Sequence, residues 1–190
     1  MSRRLAVLLA VTLGLTSAVS ALTIRLGGAF GTRVLNDAKI RDAYGTGVAY
    51  SAGAEFGFGR GWTAGLSFES GRTQTGKLGL SASNAQFGLW GLDFTAGYEL
   101  RLRKFGFFIR AGYGLYHYRQ TVEYEYVQDY KVDALASTLV AIAGLKYYPW
   151  NFLYLSAGAK FVPLKVKPYD QTVDLGGWRF AGGLGLAFDF

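Results

Sequence analysis

The sequence predicts an all-β fold, an eight-stranded antiparallel up-and-down transmembrane β-barrel. Three observations carry this expectation. Apolar and small residues alternate with period two in eight separate segments, each roughly 9–14 residues long, which suits tilted strands crossing a bilayer. Short turns alternate with long polar connections between those segments. The aromatic residues (14 Phe, 13 Tyr and 4 Trp among 190 residues) gather toward the two ends of the apolar face.

The first residues read as an export leader. Arg3 and Arg4 precede an apolar run from Leu5 to Leu15, and small residues close on Val19-Ser20-Ala21. This is the order of a cleavable signal peptide over 1–21, and its apolar run falls short of the about 20 residues that a spanning helix needs. Residues 22–190 then form one barrel domain. The longest later apolar run, 135–145, is also too short for a helical span. The chain has no Cys, which rules out disulfides and thiolate metal ligands. A lone histidine, His117, makes a zinc site improbable, so neither metal nor cofactor is expected.

The eight segments follow in order. In 22–32, Leu22, Ile24, Leu26 and Phe30 share one face with Thr23, Arg25 and Gly27 on the other. In 47–58, Val48, Tyr50, Phe56 and Phe58 oppose Ser51, Gly53 and Glu55. In 62–70, Trp62, Leu66 and Phe68 oppose Thr63, Ser67 and Glu69. In 88–100, Trp90, Leu92, Phe94 and Tyr98 oppose Asp93, Thr95 and Glu99. In 105–118, Phe107, Ile109, Tyr113 and Leu115 oppose Arg110, Gly112 and Gly114. Segment 136–148 carries Leu139, Ala141, Leu145 and Tyr147 on one face, while Val140 and Ile142 interrupt the polarity of the other. In 152–162, Leu153, Leu155 and Phe161 oppose Ser156 and Lys160. The last segment, 177–190, sets Trp178, Phe180, Leu184, Leu186, Phe188 and Phe190 against Arg179 and Asp189.

Short links fall at 59–61, 101–104 and 149–151, and long polar ones at 33–46, 71–87, 119–135 and 163–176. That alternation puts the short turns and both termini on one side, the periplasm of an outer-membrane barrel. The aromatics fall into two groups to match. Phe56, Phe58, Trp62, Tyr98, Phe107, Tyr147, Phe188 and Phe190 lie toward the short turns, whereas Phe30, Tyr50, Phe68, Trp90, Phe161, Trp178 and Phe180 lie toward the long loops. A soluble lipocalin-like barrel would instead turn its apolar face inward.

In architecture, residues 22–190 resemble the small eight-stranded outer-membrane β-barrel proteins of the OmpA/OmpX/OmpW type. The resemblance implies a bacterial outer-membrane location, contact with outer-membrane lipids and a monomer. It also implies that the terminal aromatic is read by the outer-membrane assembly machinery, a role that falls on Phe190 with Phe188. Gly183 departs from the polar residue expected near that position.

Ten charged side chains fall on the inward face: Arg25, Arg110, Lys146, Lys160 and Arg179 against Glu55, Glu69, Asp93, Glu99 and Asp189. Position along the strands sorts them into two layers, with Arg25, Glu55, Glu99, Lys146 and Asp189 nearer the short turns. Glu69, Asp93, Arg110, Lys160 and Arg179 lie further up. An eight-stranded barrel is just wide enough for side chains, and buried charges must be paired. These charges are therefore expected to form a paired plug, with the inward glycines leaving room for the long stems. A narrow conduit for small or hydrophobic solutes is the alternative.

Nothing in the sequence supports a catalytic site. Nucleophilic catalysis needs a hydroxyl or thiol beside a positioned base, and His117 has no Ser within five positions on either side. Glycine–aromatic runs such as "FGFGRGW" lack the context of a phosphate cradle, and no nucleic-acid partner is expected. Specificity is left to the loops. In 36–45, "NDAKIRDAYG" fits a short helix with Asn36 as N-cap and Gly45 at its end. The run 119–135 is rich in Tyr, a residue favoured in binding surfaces. Loops 33–46 and 119–135 are thus the expected contacts for an extracellular ligand. The sequence leaves three readings: a non-enzymatic structural envelope barrel, a narrow channel, and an adhesin-like surface binder.

Overall fold

The computed structural model describes residues 22–71, 74–76, 82–124, 130–167 and 172–190. The expected leader and the central parts of three long loops lie outside the described residues. Eight strands make the barrel: β1 (Leu22–Leu35), β2 (Gly47–Phe58), β3 (Trp62–Gly71), β4 (Ala82–Leu102), β5 (Phe105–Tyr124), β6 (Tyr130–Trp150), β7 (Leu153–Val162) and β8 (Gly177–Asp189). Each pairs antiparallel with its neighbours in the chain, and β1 closes on β8 to complete the ring. Closure runs from Thr23↔Asp189 to Leu35↔Gly177, and β3 pairs with β4 from Trp62↔Tyr98 to Ser70↔Trp90. The backbones of Leu22 and Phe190 exchange two hydrogen bonds (3.3 and 2.8 Å), so both ends of the barrel domain are held at the short-turn rim.

The expected segments all appear as strands, with the predicted faces. Leu26, Phe30, Leu66, Ile109, Leu139 and Leu184 stand exposed on the outer wall, as an apolar exterior requires of a barrel that lipid surrounds. Aromatic contacts run along both ends of that band, including Trp62 with Tyr98 and Phe105 with Tyr147 at the short-turn rim. Phe68 with Trp90 and Phe161 with Trp178 make the matching contacts at the long-loop rim. Val140 and Ile142 keep the alternation of β6 after all. Val140 is buried on the inner side, and Ile142 lines the lumen. Among the described residues no helix is long and apolar enough to cross a membrane.

The structure departs from expectation above the long-loop rim. Much of 119–135 is strand rather than loop, because β4, β5 and β6 run on past the barrel as a tongue, edged by a short strand at Gln74–Gly76 that pairs with β4. Its ladders extend to Ala82↔Tyr124 and Val122↔Tyr130, whereas β6 and β7 part at Ala141↔Phe161. The reason is a reversal of amphipathicity along single strands. On β5 the outward residues change from Phe107, Ile109 and Tyr113 to Arg119, while the inward ones change from Arg110 to Tyr116, Tyr118 and Val122. On β6, Lys131 and Asp133 face out where Val132 faces in. A strand leaving lipid for water must invert its apolar face in this way if it still covers a core.

That core is formed by Phe87, Leu89, Tyr116, Tyr118, Val122, Val132 and Val140, met by Val162, Leu164, Val166 and Leu175 from the β7–β8 connection. The short helix α1 (Ala38–Tyr44) adds Tyr44 and Ile40. Asp37, not Asn36, caps α1, accepting from the backbone N–H of Lys39 (2.8 Å) and Ile40 (3.3 Å). Asn36 is still tied into the barrel seam, its N–H donating to the carbonyl of Gly176 at 2.8 Å. Gly45 ends the helix with φ 73°, a left-handed value that glycine takes without steric cost.

Candidate functional site: two ion clusters in the lumen

Inward side chains from all eight strands meet in two clusters along the barrel axis. In the cluster nearer the short turns, Glu55 on β2 receives Arg25 Nη1 at 2.5 Å and Lys146 Nζ at 2.9 and 3.0 Å, and it also pairs with Arg110. Glu99 on β4 takes Lys146 Nζ at 2.7 Å, lies 3.6 Å from Arg25 Nη1, and accepts the Tyr148 hydroxyl at 2.7 Å. In the cluster nearer the long loops, Glu69 on β3 receives Arg33 at 3.1 Å, Lys160 at 2.8 Å and Arg179 at 2.5 Å. Asp93 on β4 pairs with Lys160, accepts the Tyr116 hydroxyl at 2.5 Å, and is reached by Ser67 Oγ at 3.4 Å.

Aromatic rings sit between the cations. Arg110 lies over Phe108 (4.5 Å to the ring centre), and Arg179 lies over Tyr116 at 4.9 Å. The inward glycines serve these rings as much as the charged stems. A Cβ at Gly91 or Gly114 would meet the Tyr116 ring, and one at Gly27 or Gly185 would meet Tyr154. Gly57 and Gly71 do face guanidinium groups, those of Arg25 and Arg33.

Of the ten inward charges the sequence singles out, nine enter these clusters. Asp189 stays at the exposed short-turn rim, where its carboxylate accepts Thr23 Oγ1 at 2.7 Å. Arg110 joins Glu55 in the lower cluster rather than Glu69 and Asp93 in the upper one. Arg33 falls within the loop expected at 33–46 but lies on β1 and joins the upper cluster. It is only 3% exposed, and its phase with Arg25 on the odd face of β1 is the signal that marks it as inward. The balance among described residues is therefore six cations against four carboxylates, three against two in each cluster.

Between the clusters lie two adjoining cavities of about 140 and 190 Å³, both lined by Ser51, Ser67, Arg110, Ile142 and Ser156. Above the upper cluster, the apolar core of the tongue, α1 and the β7–β8 connection covers the lumen.

His117 points outward. It stacks on Trp90 with ring centres 5.0 Å apart, and its Nε2 lies 2.5 Å from Asp133 Oδ1. Arg119 donates to Asp133 Oδ2 from Nε (3.2 Å) and Nη2 (3.1 Å). The nearest hydroxyl across the strand pair, Ser137, accepts the Tyr113 hydroxyl at 2.5 Å. Both contacts join a β5 residue to the one two places before its register partner on β6, which puts Ser137 on the opposite diagonal from His117. Phe190 is 76% exposed at the rim and Phe188 faces outward beside it.

No family model matches the chain, and no curated protein matches it. Solved structures do. The outer membrane protein OprG of Pseudomonas aeruginosa aligns with a TM-score of 0.59 at 13% identity, over 90% of this chain and 97% of that one. Neisserial surface protein A aligns at 0.56 and 13% identity, over 89% of this chain and 99% of that one. Ail, the attachment invasion locus protein of Yersinia pestis, aligns at 0.53 and 14% identity, over 88% and 98%. The likeness is one of fold: the chain has the architecture of the small eight-stranded barrels of bacterial outer membranes.

Proposed function

We propose that the protein is a non-enzymatic envelope barrel of the bacterial outer membrane whose lumen is closed to solutes. The observation that carries this reading is the stacking of three layers along one axis. The lower ion cluster, the upper ion cluster and the apolar core beneath the tongue obstruct the path in turn. Buried pairs of this kind are costly to break, so the layers hold one another in place. The short-turn rim with both termini faces the periplasm, and the tongue with α1 faces outward. Phe190 serves as the terminal aromatic that the assembly machinery reads.

Planar-bilayer recordings of the purified barrel test this. Silence or rare brief openings are expected, and a large steady conductance overturns the closed lumen in favour of a channel.

One feature favours a second activity at the long-loop end. A cavity of about 260 Å³ opens between α1 and the tongue, with Ile40, Phe87 and Val173 as apolar walls and Tyr44, Tyr118 and Gln120 as polar ones. The Gln120 amide donates to the Tyr44 hydroxyl at 2.7 Å, fixing α1 to β5. This is the place where an extracellular ligand contacts segments 33–46 and 119–135.

A further inference from the structure

Among the described residues, each lumen cluster holds one cation more than it holds carboxylates. The lower has Arg25, Arg110 and Lys146 against Glu55 and Glu99, and the upper has Arg33, Lys160 and Arg179 against Glu69 and Asp93. The tyrosines do not correct this. Tyr148 and Tyr116 donate their hydroxyl protons to Glu99 and Asp93, and so take up carboxylate lone pairs without adding negative charge. The rings of Phe108 and Tyr116 offer quadrupoles to Arg110 and Arg179, which soften a positive charge without neutralising it. An excess of like charge held away from bulk water is unfavourable unless a counter-charge joins it.

The cavities lie where such a counter-charge would be held. Arg110 lines both of them, Arg25 and Lys146 line one, and Lys160 and Arg179 line the other. The Nε–H groups of Arg25 and Arg110 are buried without a hydrogen-bond partner, and Arg25 is only 7% exposed. Ser51 and Ser156 bring hydroxyl groups to both cavities, and hydroxyls can turn to donate to an anion. The volumes admit a small monovalent anion with some water. Arg25, Arg110, Lys146, Lys160 and Arg179 line the two cavities against two lining carboxylates, Glu55 in one and Glu69 in the other, so the space between the clusters is bordered by more positive than negative charge.

From this arrangement we infer that the lumen is an anion-binding site, holding a small monovalent anion of chloride size between the two ion clusters, with Arg110 as its central contact. The inference rests on the closed, ion-paired lumen proposed above and deepens it. The anion offsets one of the two unpaired positive charges of the plug, so the site is a structural one, and occupancy makes the barrel more stable.

The test uses the full barrel purified from outer membranes in detergent micelles, with chloride as the probe. Chloride-35 NMR should show line broadening beyond that of protein-free micelles, saturating with concentration. Ser156→Leu, which puts an apolar side chain at the wall of both cavities and removes no charge, should remove at least half of the excess broadening. Arg60→Gln, on the exposed first turn, should leave it in place. Thermal unfolding supplies a reading that needs no variant: at equal ionic strength the wild type should melt several degrees higher in sodium chloride than in sodium gluconate.

Broadening no greater than that of micelles overturns the site, as do equal melting temperatures in the two salts. Broadening that survives in folded Ser156→Leu but falls with Arg60→Gln also overturns it, since it would then arise at the surface. Conductance separates this inference from the closed lumen itself. A barrel that conducts freely yet binds chloride retains the site and loses the plug, and a silent barrel without chloride binding does the reverse.

Discussion

Lys146 on β6 reaches across the barrel to Glu55 on β2 and donates to both carboxylate oxygens, at 2.9 and 3.0 Å. The two residues lie on strands that are not neighbours in the sheet, so the contact braces the lumen from wall to wall. Because Glu55 also holds Arg25 and Arg110, its removal differs from the loss of any one cation. Glu55→Gln leaves three cations facing Glu99 alone and should cost at least about 3–5 kcal/mol. Arg110→Gln leaves Glu55 with two cations and should cost no more than about 1.5–3 kcal/mol, the worth of a charge-assisted hydrogen bond. Urea unfolding in micelles followed by tryptophan fluorescence measures both, and equal costs would contradict the cation excess.

The cap above the lumen depends on packing rather than charge. Leu164 is fully buried against the tongue, so Leu164→Ala should lower stability by about 2–5 kcal/mol. Gln86→Ala, on the exposed face of β4, should change it by less than about 0.5 kcal/mol. If the two variants unfold at the same urea concentration, the tongue does not cover a packed core.

The outer wall should reject charge. Ala141 is exposed midway along β6, paired with Ala111 and Phe161. Ala141→Arg should cost about 2–4 kcal/mol in a bilayer, as for a cation near the midplane. Arginine at Gln86 should be tolerated. Folding titrations into phospholipid vesicles give both values, and similar tolerance at the two sites would displace the membrane band.

Deleting Phe190, or changing it to Ser, should reduce insertion into the outer membrane while export continues. Separation of membrane fractions checks this, together with the shift in gel mobility between boiled and unboiled samples. Normal amounts of heat-modifiable barrel would remove the assembly role from the terminal aromatic.

The barrel itself was legible because one physical rule, apolar outward and polar inward, holds along 22–32, 47–58 and every later segment between the girdles. The same rule explains what was not legible. Past Leu115 on β5 the rule inverts, and a search for outward apolar residues reads Arg119 and Thr121 as the start of a loop although the ladder continues to Tyr124. Arg33 was lost in the same way, since Thr32 outside and Asn36-Asp37 beyond it look like the end of a strand. The two charge layers could be counted from the turns, but partner choice could not. Arg110 stands five residues above its turn and still reaches down to Glu55, because side-chain length exceeds the spacing between layers. Asp189 could not be told from the other inward charges by phase, only by its place at the water-filled rim.

The seam between β1 and β8 joins residues 166 positions apart, as in the Thr23–Asp189 contact, whereas β4, β5 and β6 follow one another in the chain and pair in ladders of about twenty residues. Chain entropy therefore sets an order of events. Local hairpins form first, because the ends they bring together are close in sequence, and the most distant pairing comes last. The central hairpins act as the template on which the flanking strands are laid, and the backbone bonds between Leu22 and Phe190 are made when the ring shuts. Until that moment both seam strands are open edges able to pair with a foreign strand. Phe190, paired with Leu22 at that seam, is thus among the last residues to lose the chance of a wrong partner.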